Sequence, residues 1–193
     1  TIFGLMVVVG CYQIVKKIFN KTIAKTSSLF LLLLPFFFGH LAINNKDVIV
    51  TFAHVWIVYY LIKYIIKNYN FKRRLFLISK ISILSALGTG IQLLFLGSLM
   101  PLVIIFFSVL FFSKKLRSTE IILDFSIYII FFYFVLILFW VDTHSNILVL
   151  PFSYFMETLS LKVGWPYNLV GGEYTFSNDV SSMYLLINYL YKL

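Results

Sequence analysis

LFLISKISILSALGTGIQLLFLGSLMPLVIIFFSVLFFS, residues 75–113, is thirty-nine residues long and carries one charge, Lys80. A stretch this apolar belongs in lipid, yet at about 1.5 Å per residue it is far too long for one crossing of a ~30 Å hydrocarbon layer. It must fold back on itself. Gly97, Ser98 and Pro101 offer the turn, because glycine relaxes the backbone and proline disfavours helical geometry in the residue before it. Two membrane helices joined by a tight turn are therefore expected here, over 75–96 and 99–113.

Working outward, the same reading draws four more spans, over 2–15, 28–43, 48–66 and 120–141. Hydrophobic residues make up 61% of the 193-residue chain, and the mean hydropathy is +0.97. A soluble domain is about 45–50% apolar, so a soluble fold is excluded. Long apolar runs, rather than alternating ten-residue segments, favour helices over a barrel. The expected fold class is all-α: a polytopic transmembrane helix bundle of about six spans over residues 1–142. An interfacial or re-entrant segment and a C-terminal amphipathic docking helix follow over 143–193. Ser27, Asp47 and Ser118 each precede an apolar run and are expected to cap it.

The formal charge is +9, and its distribution carries the information. Lys16, Lys17, Lys21 and Lys25 follow the first span; Lys63, Lys67, Lys72, Arg73 and Arg74 close the third; Lys114, Lys115 and Arg117 follow the fifth. Twelve of the sixteen basic residues thus fall on loops of one side. The positive-inside rule puts the N-terminus and C-terminal tail outside and the basic loops 16–25, 63–74 and 114–117 on the cytoplasmic or matrix side. The cations form no stripe between stacking aromatics, which argues against a nucleic-acid partner. Cys11 is the one cysteine, so an intrachain disulfide is impossible.

Candidate chemistry is sparse. His40 and His54 flank the outer turn of a helical hairpin and are the pair that could ligate a haem b; no other cofactor is expected, and no metal site. Lys80 and Asp124 lie at similar depth in spans that both start on the basic side, which suits a buried ion pair fixing helix register, or a step in a proton path. Ser82, Ser85, Ala86, Gly88 and Gly90 let other helices approach the fourth span closely, so that span is expected at the centre of the bundle or against another subunit. Gln92 would bond across to a neighbour. Glu157 is an acid in the irregular outer segment, and Asn20-Lys21-Thr22 matches a glycosylation acceptor on the inner side, where it would stay unmodified. Nothing has the spacing of a hydrolase triad or a nucleotide loop.

Twenty-two Phe, thirteen Tyr and thirteen Lys against three Arg, in stretches such as PFFFGH, IIFFSVLFF and YIIFFYFVLILFW, give the chain a resemblance to membrane proteins of AT-rich organelle genomes. The resemblance is to divergent respiratory-chain subunits of the ciliate-mitochondrion type. It implies a non-catalytic accessory subunit of the mitochondrial inner membrane. The membrane arm of the NADH:ubiquinone oxidoreductase comes first and cytochrome c oxidase next. The implied partners are other membrane subunits and bound phospholipid. Two other classes compete: a small b-type cytochrome using His40 and His54, and a stand-alone bacterial membrane enzyme or transporter.

Overall fold

The computed structural model describes residues 2–35, 37–39, 44–113, 117–160, 167–170 and 173–176. The chain forms two compact units, Thr1–Pro151 and Phe152–Leu193. The first is a helix bundle: α1 (Ile2–Ile18), α2 (Lys21–Leu33), α3 (Asn45–Ile66), α4 (Phe71–Ile91), α5 (Phe95–Ser113) and α6 (Ser118–Phe139), followed by a 3-10 turn (Val141–Ser145). Helix α7 (Leu150–Ser160) leads into the second unit. There β1 (Tyr167–Val170) and β2 (Glu173–Phe176) form an antiparallel hairpin, with Tyr167 opposite Phe176. That hairpin lies within 143–193, the stretch expected from sequence to hold an interfacial or re-entrant segment and a docking helix, with no strand. The expected docking helix at the C-terminus lies outside the described residues.

Four of these helices, α3 to α6, are long and apolar enough to cross a membrane, and the chain is an all-α integral membrane bundle. Helices α1 and α2 are shorter, as the first two expected spans were. Helix α2 starts at Lys21, well before the expected 28, and ends at Leu33, two residues before Pro35. The reason is a cap the sequence reading did not assign: Asn20 Oδ1 accepts the Ile23 amide at 2.9 Å. Asparagine does the same elsewhere. Asn44 accepts from the Asp47 amide at the head of α3, and Asn70 from the Arg73 amide at the head of α4. Asp47 sits in the first turn of α3, and Ser118 is the first residue of α6; neither is the N-cap.

The turn inside residues 75–113 comes earlier than Gly97, Ser98 and Pro101 suggested. Helix α4 closes at Gln92, whose amide donates to Gly88 O at 3.0 Å, and α5 begins at Phe95 with Pro101 inside it. The packing explains the shift. The Phe95 ring lies where a side chain on residue 88 would go, within 2.4 Å of an ideal Cβ, so only glycine lets α5 fold back this tightly. Phe95 is buried against Ala53, Ile57, Ile81 and Leu99, one of two apolar clusters in the bundle. The other joins Tyr64, Leu77, Ile78 and Leu110.

Helix directions follow from which residues meet. Phe3 packs on Phe52, the Trp56 indole donates to Met6 O at 3.0 Å, and Gly10 meets Val55 and Trp56, so α1 and α3 run parallel. Arg74 meets Glu120, Ser82 meets Tyr128 and Gly90 meets Trp140, so α4 and α6 also run parallel. This pairing gathers Lys16 and Lys17, Lys63 and Lys67, and Lys72 to Arg74 at matching helix ends. Helix α4 is the centre: half of its most apolar window is buried, against 11–17% for α3, α5 and α6. Its Ser82, Ser85, Ala86 and Thr89 are all buried, and Ser82 Oγ reaches Tyr128 O of α6 at 3.2 Å. Small side chains are what allow so close an approach in lipid.

Candidate functional site

The described residues concentrate their polar chemistry at one place in the bundle. Arg74, in the first turn of α4, is 5% exposed because it shares a helical face with Leu77, Ile78 and Ile81. Glu120 and Asp124 stand one turn apart on α6 and face it. Arg74 Nη1 donates to Glu120 Oε1 at 2.8 Å, and Arg74 Nε lies 3.0 Å from Asp124 Oδ2. The Tyr64 hydroxyl of α3 donates to the same Asp124 oxygen. Glu120 Oε2 turns back to accept the Arg117 amide at 3.2 Å, so this acid both starts α6 and ties it to α4. Three helices therefore meet through one guanidinium and two carboxylates. An ionisable group at this depth is costly unless partnered, and here the two carboxylates share one guanidinium while the Tyr64 hydroxyl donates to Asp124.

An apolar cavity of about 80 Å³ adjoins the cluster. Its walls come from Ile57 and Leu61 on α3, Ile81 on α4, and Leu99 and Phe106 on α5, with Asp124 and Tyr128 supplied by α6. Two buried oxygens at this cavity, Asp124 Oδ1 and Ser85 Oγ, have no hydrogen-bond partner of good geometry. That leaves one carboxylate oxygen able to accept from a hydroxyl or a water. The cluster can hold helices in register and accept one hydrogen bond. Its single cation is already taken up by the two acids.

The sites expected from sequence are distributed differently. Asp124 does belong to a buried ion pair, but its cation is Arg74. The Lys80 ammonium instead lies over the rings of Phe76, at 4.3 Å, and Tyr60, at 5.2 Å. His54 packs edge-on against Phe95, with ring centroids 5.8 Å apart. His40 lies outside the described residues, so the haem pair has no geometry here. Gln92 ends α4, as its backbone shows, and Glu157 lies in α7. Among the described residues no three His, Cys, Asp or Glu side chains gather as a metal site. Arg74 and Tyr64 were missed. The signal for Arg74 was present: it is the one cation of the Lys72-Arg73-Arg74 run that keeps step with 77, 78 and 81.

Set beside known proteins, the bundle matches a described family. Residues 1–141, which take in all six helices and the whole of the Arg74 cluster, match the family described as Dolichyl-phosphate-mannose-protein mannosyltransferase. The chain belongs to that family. No curated protein sequence and no solved structure matches it. Membership overturns the expectation of a respiratory-chain accessory subunit, since the family is one of membrane glycosyltransferases. A stand-alone membrane enzyme, the competing class, agrees with it better. The error has a plain cause: Phe-, Tyr- and Lys-rich composition reports what lipid and base composition permit, and any membrane helix from an AT-rich genome satisfies it. The integral membrane location stands, while the family gives no support to the mitochondrial inner membrane.

Proposed function

We propose that this chain is the membrane-embedded part of a glycosyltransferase whose sugar donor is a polyprenyl-phosphate-linked sugar, mannose in the first instance. The observation that carries this reading is the family match over residues 1–141, which spans the bundle from α1 through the end of α6. The physical setting agrees. A donor with a long isoprenoid tail stays in the bilayer, so its enzyme needs a lipid-embedded scaffold that holds a reacting end near the membrane surface. Helices α3 to α6 form such a scaffold, and the Arg74–Asp124 pair with Tyr64 and Glu120 keeps three of them in fixed register.

In the transfer itself an acceptor hydroxyl attacks the anomeric carbon, the bond from that carbon to the phosphate oxygen breaks, and the phosphate leaves with the electron pair. The hydroxyl proton goes to a base. Arg74, Glu120 and Asp124 are committed to one another, and their role in this reading is positional. The concentration of basic residues on loops 16–25, 63–74 and 114–117 supports an orientation with those loops on the cytoplasmic side.

The test uses membranes from cells expressing the chain, supplied with a polyprenyl-phosphate mannose labelled in the sugar. Transfer of label to a protein or lipid acceptor, above that of membranes lacking the chain, is the expected result. Unchanged donor in both membranes, with label transferred only from a nucleotide sugar, would overturn the donor class.

A further inference from the structure

The cavity beside the Arg74 cluster has a polar end and an apolar end. Tyr64 and Asp124, which are bonded to each other, line it at the basic end, and Ile57 of α3 and Leu99 of α5, packed together, line it at the other. Ile57 and Tyr64 are seven residues apart on α3, so the space runs about 10 Å along the bundle. Its wall toward the lipid is thin. Phe125 of α6 packs edge-on against Phe107 of α5, with ring centroids 5.4 Å apart, and Phe125 both lines the cavity and is 43% exposed on the outside.

The polar groups of this space differ in what they have left to offer. Tyr128, one turn beyond Asp124 on α6, has its hydroxyl beside Ser85, so those two hydroxyls serve each other. Asp124 is different. Its Oδ2 accepts the Tyr64 hydroxyl and lies 3.0 Å from Arg74 Nε, while Oδ1, on a side chain 6% exposed, has no donor among the described residues. A buried carboxylate oxygen without a donor is costly. Here it belongs to a residue that borders open space.

The chemistry of a ligand follows from charge, donor count and size. One guanidinium against two carboxylates leaves the cluster with a negative charge, so an anion is repelled. An ammonium brings three N–H donors to a single open acceptor, and the surplus would face Ile57, Leu61, Ile81 and Phe106 unpaired. A monohydric alcohol brings one donor and an apolar tail, which matches the site. An apolar cavity of about 150 Å³ takes benzene. This one holds about 80 Å³, so the tail is limited to about two or three carbons.

We infer that the cavity is a binding site for a short-chain monohydric alcohol, whose hydroxyl donates to Asp124 Oδ1 and whose tail lies toward Ile57 and Leu99. Such a molecule dissolves in the bilayer and meets the site past the Phe107–Phe125 pair. The site takes no part in the sugar transfer proposed above and does not depend on it.

The test is fluorine NMR of 2-fluoroethanol with the full chain in a mild detergent, against the same detergent without protein. A saturable signal of one equivalent per chain, displaced by ethanol, is expected. Binding of 1,2-difluoroethane, in which fluorine replaces the hydroxyl at nearly the same size, should be at least tenfold weaker, and Arg74→Met with Asp124→Leu should erase that preference. Val103→Phe fills the cavity from α5 and should weaken 2-fluoroethanol binding at least tenfold, whereas Val109→Phe, the same enlargement at an exposed position of that helix, should leave it. The comparison of the two probes needs no variant and decides the matter even if one fails to fold. No saturable signal above detergent alone, equal binding of the two probes by the wild-type chain, equal effects of the two valine variants, or tighter binding of 2-fluoroethylammonium would each overturn the inference.

Discussion

Arg74 on α4 and Asp124 on α6 are joined across a parallel helix pair, with Nε 3.0 Å from Oδ2 and both side chains 6% exposed. The two residues come from helices that start at the same basic end, and each sits on the face its helix buries. The pair is therefore a register device. Sliding α6 by one residue along α4 would strand a buried charge on each helix.

Removing both partners should cost less than the two single removals added together. Arg74→Met or Asp124→Leu alone should cost about 3–5 kcal/mol, and the two together distinctly less than their sum. Thermal unfolding of the four proteins in one mild detergent measures this. Additive losses would contradict the pairing.

The same cycle discriminates between the two cations considered for Asp124. Coupling of Asp124→Asn with Arg74→Gln should fall within the ~0.5–3 kcal/mol found for residues in direct contact. Coupling with Lys80→Gln should be near zero, because the Lys80 ammonium lies over Phe76 and Tyr60.

Tyr64→Phe deletes the phenol that donates to Asp124 while keeping the ring that packs edge-on with Phe106. A loss of about 1.5–3 kcal/mol is expected, the scale of a hydrogen bond to a charged group. A change under half of that would show that water replaces the phenol from the cavity.

Gly88→Ala should force the Phe95 ring out of its notch, costing about 1–3 kcal/mol as an overpacked core does. Phe95→Leu should recover part of that loss in the Gly88→Ala background but not in the wild type. Unfolding midpoints of the two single variants and the double variant provide the check.

Gly10→Val tests the α1–α3 crossing, since even a Cβ there would fall 2.6 Å from Val55 Cγ1 and 3.2 Å from the Trp56 indole nitrogen. Loss of the Trp56 hydrogen bond to Met6 O should move the tryptophan emission maximum. The shift should be absent in Gly97→Val, where no neighbouring atom lies within 4 Å of the added carbon.

How much of this was legible in the residues divides along physical lines. Hydropathy and the side bias of lysine depend on each segment's own exchange with water and lipid, so bundle class, span order and the gathering of basic ends could be read directly. The small residues of α4 pointed correctly to a central helix for the same reason: a short side chain has a meaning wherever it lies in lipid. Helix starts were misread at Ser27, Asp47 and Ser118 because several polar residues near each start can serve. The choice of Asn20, Asn44 and Asn70 rests on backbone angles that no composition encodes.

Pairing was the part that local reading could not supply. Lys80 and Arg74 are both cations on α4, and nothing in their spacing to Asp124 chooses between them. The choice is made by rotation about the helix axis. Arg74 keeps step with Leu77, Ile78 and Ile81 and turns inward to α6, while Lys80 turns toward Tyr60 of α3 and Phe76 of its own helix. The same rotation gives α3 one face for the Arg74 cluster and another for Lys63, which lies over the Tyr59 ring. Residues 75–113 announced two helices and a turn by apolar length alone, but the turn's position was decided by Phe95 settling onto Gly88, a contact that exists only once the two helices have folded together.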